Sequence, residues 1–301
     1  MMVVTMDSAS ALPTVGFVGL GRLGGPLAVN LAGSGYQVTG FDVNPVMLAA
    51  TGLPGARSLA TLADGSDVVL TCVRTADDLG DLLDGDTGLL AGLRPGSAVL
   101  DLSTVSPSSS ARIAEMVETA GSHFLRVAVS GSAQAAAARQ VSFICSGRED
   151  VYERCLPILR SLGRSCVYVG QAEEARAMKI ALNMLVGIGM AALVESVVLA
   201  DSFGLDRGKF LDVVEQSAVG SPFFSAKAPA LASRDYTPAA SLALMLKDLN
   251  LALGAGTEVA VQLPVTELAR DLYARCHDLG WSERDFACLT ELYEKQAAES
   301  S

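Results

Sequence analysis

The sequence predicts an α/β domain with a mainly parallel sheet, followed by a long connecting helix and an all-α region. Three observations predict this. Up to about residue 170, short Val-, Ile- and Phe-rich runs alternate with helical patterns; beyond Gly170 only helical patterns follow; and a glycine-rich segment joins the first run to the first helix. The 301 residues are enough for two domains. We divide them into a disordered tail 1–13, an α/β domain 14–170, and a region 171–301 holding the connecting helix and an all-α domain.

The expected strands are Val15–Leu20, Tyr36–Asp42, Asp67–Val73, Ala98–Leu102, Phe124–Val129, Val141–Cys145 and Cys166–Val169, each bounded by Gly, Ser, Pro or Asp. Leu23–Ala32 and Ser108–Thr119 are among the helical stretches between them. The second region reads as helices over 172–203, 206–216, 242–258, 264–279 and 283–296. Gly204 is placed to stop the first, and Pro222, Pro229 and Pro238 punctuate a loop. Ala181–Ala200 has the length of a membrane span, but Asn183, Glu195 and its Gly and Ser positions fit a buried helix better. Met1–Pro13 lacks the basic and apolar regions of a signal peptide.

With 22 basic against 33 acidic residues, a net charge of −11 and no basic run, the chain is unsuited to nucleic acid or an anionic membrane. A small organic anion would need locally placed cations. The six cysteines form no C-x-x-C pair, and with two histidines no metal cluster is expected. Free thiols and a cytoplasmic location fit this pattern.

Gly19-Leu20-Gly21-Arg22-Leu23-Gly24 fits G-x-G-x-x-G in the context that gives the pattern meaning, after a strand and opening a helix. The first glycine permits the turn, the second admits a pyrophosphate, and the third packs helix on strand. The helix N-terminus then faces the phosphates. Asp42 ends the second strand, where a carboxylate bonds the adenosine ribose hydroxyls and repels an added phosphate. Val43 offers no cation for that phosphate, so NAD is expected over NADP. The α/β domain is therefore expected to be a Rossmann domain.

Only five of the 22 basic residues are lysines, and none precedes Lys179. Arginine stays protonated in proteins, whereas a desolvated lysine can give up its proton. Asn183 lies one turn further along the same helical face. The pair reads as an acid/base group with an orienting partner; a helix-end lysine extending to solvent competes with that reading.

From Val15 to Leu292 the chain resembles the β-hydroxyacid dehydrogenase family, which includes 3-hydroxyisobutyrate dehydrogenase and tartronate semialdehyde reductase. The motifs are Gly16 to Pro26, Asp101-Leu102-Ser103-Thr104-Val105-Ser106-Pro107, Val129-Ser130-Gly131-Ser132, Lys179-Ile180-Ala181-Leu182-Asn183 and Lys247-Asp248-Leu249. The resemblance implies an active site in the cleft between a Rossmann and a helical domain, and a homodimer or homotetramer. It implies that Lys179 exchanges a proton with a 3-hydroxyl while hydride moves between the same carbon and the nicotinamide, with Asn183 orienting the lysine or the reacting oxygen. Ser130 and Gly131 would hold the substrate carboxylate. Cys72, Val73, Thr104 and Lys247 would contact the cofactor. Plainer roles compete at several positions: a strand-end turn for Ser130, a helix cap for Thr104, an exposed helix lysine for Lys247.

The chain departs from the family pattern at Arg126, where Asp is usual, and at Ala128 for Pro, Ser132 and Arg139 for Gly, Leu182 for Asn and Ala240 for Phe. The stretch 173–178 lacks the family's glycines. These departures surround the substrate loop and the lysine, so the substrate is less constrained than the cofactor. Arg126 is either an extra cation for a dianionic substrate or a structural strand residue. The leading expectation is an NAD-dependent dehydrogenase of a small 3-hydroxy acid or reductase of its semialdehyde. An imine reductase of the same fold is the alternative within enzymes, and a non-catalytic NAD(P)-binding scaffold the alternative outside them.

Overall fold

The computed structural model describes residues 12–299 and divides into two compact units, one ending at Arg176 and the other beginning at Ala177. The expected tail 1–13 falls outside the described residues except for Leu12 and Pro13.

The first unit is a seven-stranded sheet: β1 (Val15–Val18), β2 (Val38–Phe41), β3 (Val68–Thr71), β4 (Ala98–Asp101), β5 (His123–Ser130), β6 (Ser142–Ser146) and β7 (Ser165–Gly170), in the order β2-β1-β3-β4-β5-β6-β7. All neighbours are parallel except β5 and β6. Every expected strand is present within two or three residues of its expected ends. β1, β3 and β4 are buried along their whole length, which explains their unbroken apolar runs. Helices α1 (Gly24–Gly33), α2 (Pro107–Thr119), α3 (Ala133–Ala137) and α4 (Glu149–Leu162) flank the sheet. Core clusters lie on both faces, one around Phe17, Leu27 and Phe143, the other around Leu62, Val69 and Val117.

The order of chain reverses at β1: one connection leads to β2 on one side, the other to β3. In open α/β sheets ligands bind beyond the carboxyl ends of the strands at such a point. The loops after β1, β2, β3 and β4 carry Gly19–Gly24, Asp42, Cys72–Val73 and Ser103–Thr104.

Helix α5 (Glu174–Ser202) opens in the first unit and runs 29 residues. The second unit adds α6 (Arg207–Gln216), α7 (Pro222–Ser233), α8 (Leu242–Glu258), α9 (Pro264–Asp278) and α10 (Leu289–Glu299). By length and composition α5 could cross a membrane. Here its Met190, Leu193, Val194 and Val197 lie in the core of the helical unit with Leu249 and Tyr273. Gly204, at φ +75°, ends the run as expected.

Two expectations need correction. Residues 222–233, expected as loop because of their prolines, form α7. Pro222 occupies the first helical position, where no amide donor is needed, and Ser221 caps the end by accepting from the Phe224 amide at 3.2 Å. Pro229 removes one internal bond, but Lys227 bonds both Asp285 oxygens, at 2.7 and 2.8 Å, and lies over the Phe286 ring. Tertiary contacts thus outweigh local propensity. The last helix, expected from Glu283, is preceded by a separate 3-10 turn over Phe286–Cys288.

Candidate active site

The glycine loop has three glycines with three separate constraints. Gly19 has φ +86°, and a Cβ there would lie 2.2 Å from the Cys72 carbonyl oxygen. A Cβ on Gly24 would lie 2.0 Å from the Gly19 carbonyl oxygen, so the third glycine lets α1 start against the turn. A Cβ on Gly21 would meet nothing within 4 Å. Among the described residues nothing requires glycine at 21, which fits a position reserved for close approach of a ligand. The first residue of α1 follows Leu23, which supplies no side-chain cap. The Gly25 amide donates to the Gly21 carbonyl at 2.9 Å and Pro26 has no amide hydrogen, so this helix end offers an anion chiefly its dipole and the turn that precedes it.

Asp42 is engaged by the backbone on either side of it. Its two oxygens accept from the Leu20 amide at 2.7 Å and the Asn44 amide at 2.8 Å, so it holds the glycine loop. Each oxygen keeps a lone pair for a hydroxyl. Val43 beside it is 86% exposed. The residues fit a dinucleotide.

At the end of β3, burial and the Asp101 carboxylate push the Cys72 thiol up to about 12, so it stays protonated and unreactive. Thr104 is partly buried and does not cap α2; Ser106 does, accepting from the Ser109 amide at 3.1 Å. Ser130 and Gly131 are exposed at the end of β5, with Gly131 at φ +140°. Ser132 caps α3 by accepting from the Ala135 amide at 3.2 Å. Arg139 adopts φ +57° and donates to the Asn30 carbonyl at 3.0 Å, while the Asn30 amide group donates to Ala136 O at 2.8 Å. Together these two residues tie α3 to α1.

In the helical unit, Lys179 and Asn183 lie on one face of α5. Gly187, a further turn along, lets α5 approach α8 closely: a Cβ there would come 2.8 Å from Leu249. That approach brings Asn183 Nδ2 to 2.6 Å from Asp248 Oδ2. Asp248 is 5% exposed, and its other oxygen lies 3.3 Å from Lys247 Nζ. Desolvation holds the Lys179 ammonium below its ordinary pKa of 10.5; Asp248 opposes the shift and Lys247 adds to it. The arrangement can present a lysine that takes up and releases a proton beside an oriented amide.

The sequence reading gave Asp248 no role. The available signal was its charge inside the apolar run 242–253, next to a lysine already singled out. It also missed the partners of the departures from the family pattern. Arg126, 6% exposed, bonds Glu173 through Nε at 2.7 Å and through a second nitrogen, and lies over the Phe124 ring. Its guanidinium is committed to this pair, which favours the structural reading over an extra substrate cation. Ala128, where proline is usual, and Ala175, in the stretch that lacks the family's glycines, pack together with Ile144.

The sequence-family description "NAD binding domain of 6-phosphogluconate dehydrogenase" matches residues 14–170, and "NAD-binding of NADP-dependent 3-hydroxyisobutyrate dehydrogenase" matches 174–293. The 3-hydroxyisobutyrate dehydrogenase of Pseudomonas aeruginosa is 33% identical over 292 residues, covering 93% of this chain and 98% of the relative. A solved Mycobacterium tuberculosis 3-hydroxyisobutyrate dehydrogenase with L-serine superposes with a TM-score of 0.86 at 29% identity, over 94% of this chain and 99% of that one. An imine reductase from Pseudomonas sp. covers 93% of this chain and 99% of its own at TM-score 0.62 and 21% identity, a likeness of fold alone.

Proposed function

The chain belongs to the β-hydroxyacid dehydrogenase family and is an NAD(P)-dependent hydroxyacid dehydrogenase; on that premise we propose that its substrate is a small 3-hydroxyisobutyrate-like acid or the matching semialdehyde, with Lys179 as general acid/base. The observation that carries the proposal is the Lys179–Asn183 face, with a lysine depressed by burial and an amide fixed on Asp248. The cofactor, when bound, supplies or accepts the hydride. Lys179 holds the proton that leaves or returns to the substrate oxygen, and Asn183 orients that exchange. Ser130 Oγ and the Gly131 amide hold the substrate carboxylate. A lysine at this position disfavours the imine reductase alternative.

We assign NAD as the preferred nucleotide. Asp42, with a lone pair left on each oxygen, would bond the ribose hydroxyls, and the exposed Val43 would give a 2′-phosphate no cation. Gly19, Leu20, Gly21, Arg22, Leu23 and Gly24 form the pyrophosphate cradle, with Cys72, Val73 and Thr104 serving the nicotinamide side and Lys247 as a further contact. A homodimer or homotetramer is supported by the exposed Leu182, Leu185 and Leu199 of α5 and Phe203 just past its end, at spacings that follow a heptad seam. The six free thiols suit the cytoplasm.

The test is a panel of 3-hydroxy acids, semialdehydes and imines assayed with NAD and NADP. Turnover of a small 3-hydroxy acid with NAD, lost in Lys179→Ala while NAD still binds, is the expected result. Tight NAD binding without turnover of any of them would overturn the enzymatic assignment in favour of a scaffold.

A further inference from the structure

We propose that the buried Asp101–Arg176 ion pair positions the nicotinamide half of the cofactor site, acting through Ser103 on the two backbone segments Cys72–Val73 and Ser103–Thr104. The proposal rests on the reading that a dinucleotide binds at the glycine loop.

Asp101 is the last residue of β4 and is fully buried. Its Oδ1 accepts from Thr71 Oγ1 at 2.7 Å, from the Ser103 amide at 3.1 Å and from Ser103 Oγ at 2.6 Å. Ser103 Oγ in turn accepts from the Val73 amide at 3.0 Å. One carboxylate thus sets the exits of both β3 and β4. Arg176, in the first turn of α5 and 1% exposed, completes the arrangement. Its Nη1 donates to Ser103 O at 2.6 Å, its Nη2 to Asp101 O at 3.1 Å and to Asp101 Oδ2 at 2.5 Å, and its Nε to Ser110 Oγ on α2 at 3.3 Å. Every polar atom of Ser103 is therefore engaged, and the direction of Thr104 follows. Arg126 and Glu173 form a second pair nearby, and the Cys72 thiol is the other titratable group close to Asp101.

Two arguments connect this network to one half of the cofactor. The first is topological. Asp42, at the end of β2, marks the adenosine side, and the loop after β1 marks the pyrophosphate. A dinucleotide continuing in that direction meets the exits of β3 and then β4. The second is energetic. Burying two charges opposes most of their attraction, so such a pair adds little stability, whereas leaving one of them unpaired is strongly unfavourable. The bonds to Ser103 and Val73 fix backbone geometry, which is what a site must hold to a fraction of an ångström.

The test measures NADH binding by fluorescence titration and ADP binding by calorimetry in Arg176→Met, Asp101→Asn and the double variant, with thermal midpoints recorded alongside. Each single variant is expected to weaken NADH about tenfold while ADP stays within about twofold; the double variant, which has no unpaired charge but still lacks the bonds to Ser103 O and Asp101 O, is expected to regain thermal midpoint while NADH stays about tenfold weaker. If a single variant fails to fold, Arg176→Lys, which keeps the charge without the planar fork, is expected to weaken NADH about threefold and leave ADP unchanged. Single variants that lower the thermal midpoint yet bind NADH like the native chain would make the pair merely structural and overturn the proposal. Equal loss of NADH and ADP would overturn it as well, by showing general distortion. A native chain that binds neither ligand would instead overturn the cofactor reading beneath it.

Discussion

The glycine loop and the start of α5 solve the same problem, fixing backbone near a ligand, in opposite ways. The loop does it with missing side chains. Gly24 leaves room for the Gly19 carbonyl and Gly19 for the Cys72 carbonyl, and what marks the loop in the sequence is local: the positive φ at Gly19 and the tight turn closed at Gly24. The start of α5 does it with large charged side chains. Arg176 reaches Asp101 and Ser103, 75 and 73 residues away in sequence, and Glu173 reaches Arg126 across 47. Local constraints leave a short motif. Long-range pairs leave separate residues, each of which looks anomalous on its own.

The largest effect should come from a residue outside both regions, which makes it the reference for them. Lys179→Met removes the proposed proton carrier and should lower kcat by about 10²- to 10⁴-fold. NADH affinity, measured by titration, should stay within a few-fold. Loss of NADH binding in that variant would mean that Lys179 serves the cofactor rather than the proton.

The second effect breaks the α5 side of the comparison. Arg126→Met leaves Glu173 without its cation in a poorly solvated place, and about 3 kcal/mol of stability should be lost in a denaturant titration. Adding Glu173→Gln should return most of it, because the neutral pair no longer carries a buried charge. A double variant as unstable as the single one would mean that Arg126 acts through its stacking on Phe124 instead. An unchanged KM for the substrate in Arg126→Met is expected from the same geometry.

This contrast explains what the sequence made legible. All seven strands, the mainly parallel sheet and the glycine loop followed from apolar runs, glycine spacing and strand–helix alternation, which are local signals. Pro222 and Pro229 misled for a physical reason: propensity is weak beside the Lys227–Asp285 pair and the packing of α7. Asp248 was visible as a charge in an apolar helix, but its bond to Asn183 depends on the close approach at Gly187. Arg126 and the stretch 173–178 could be seen as departures from a family pattern. That they answer one another, and that Ala128 meets Ala175, needed the fold.

A smaller effect sharpens the glycine side. Gly24→Ala places a methyl against the Gly19 carbonyl, so it should lower the thermal midpoint and weaken NADH together. Gly21→Ala meets only open space, so it should leave the midpoint unchanged and weaken NADH alone. Strain at buried backbone is of the order of 1–3 kcal/mol, several degrees in midpoint for a chain of this size. Equal effects of the two substitutions would remove the basis for assigning Gly21 to the ligand and Gly24 to the fold.

The smallest effect is a displacement of the pH profile, and its sign is fixed by the groups around Lys179. On the proposed mechanism the lysine must be neutral for oxidation, so kcat/KM at saturating NAD should rise with pH until Lys179 is deprotonated. Burial places that limb below the ordinary lysine value of 10.5. Asp248 favours the ammonium and opposes the shift, so Asp248→Asn should move the limb to lower pH. Lys247 disfavours the ammonium, so Lys247→Met should move it to higher pH. The reductive reaction needs the protonated lysine, and its falling limb should move in the same direction in each variant. Opposite displacements in the two variants are the result expected for Lys179 as the titrating group. A limb that stays in place in both would assign the pH dependence, and with it the proton transfer, to a different group.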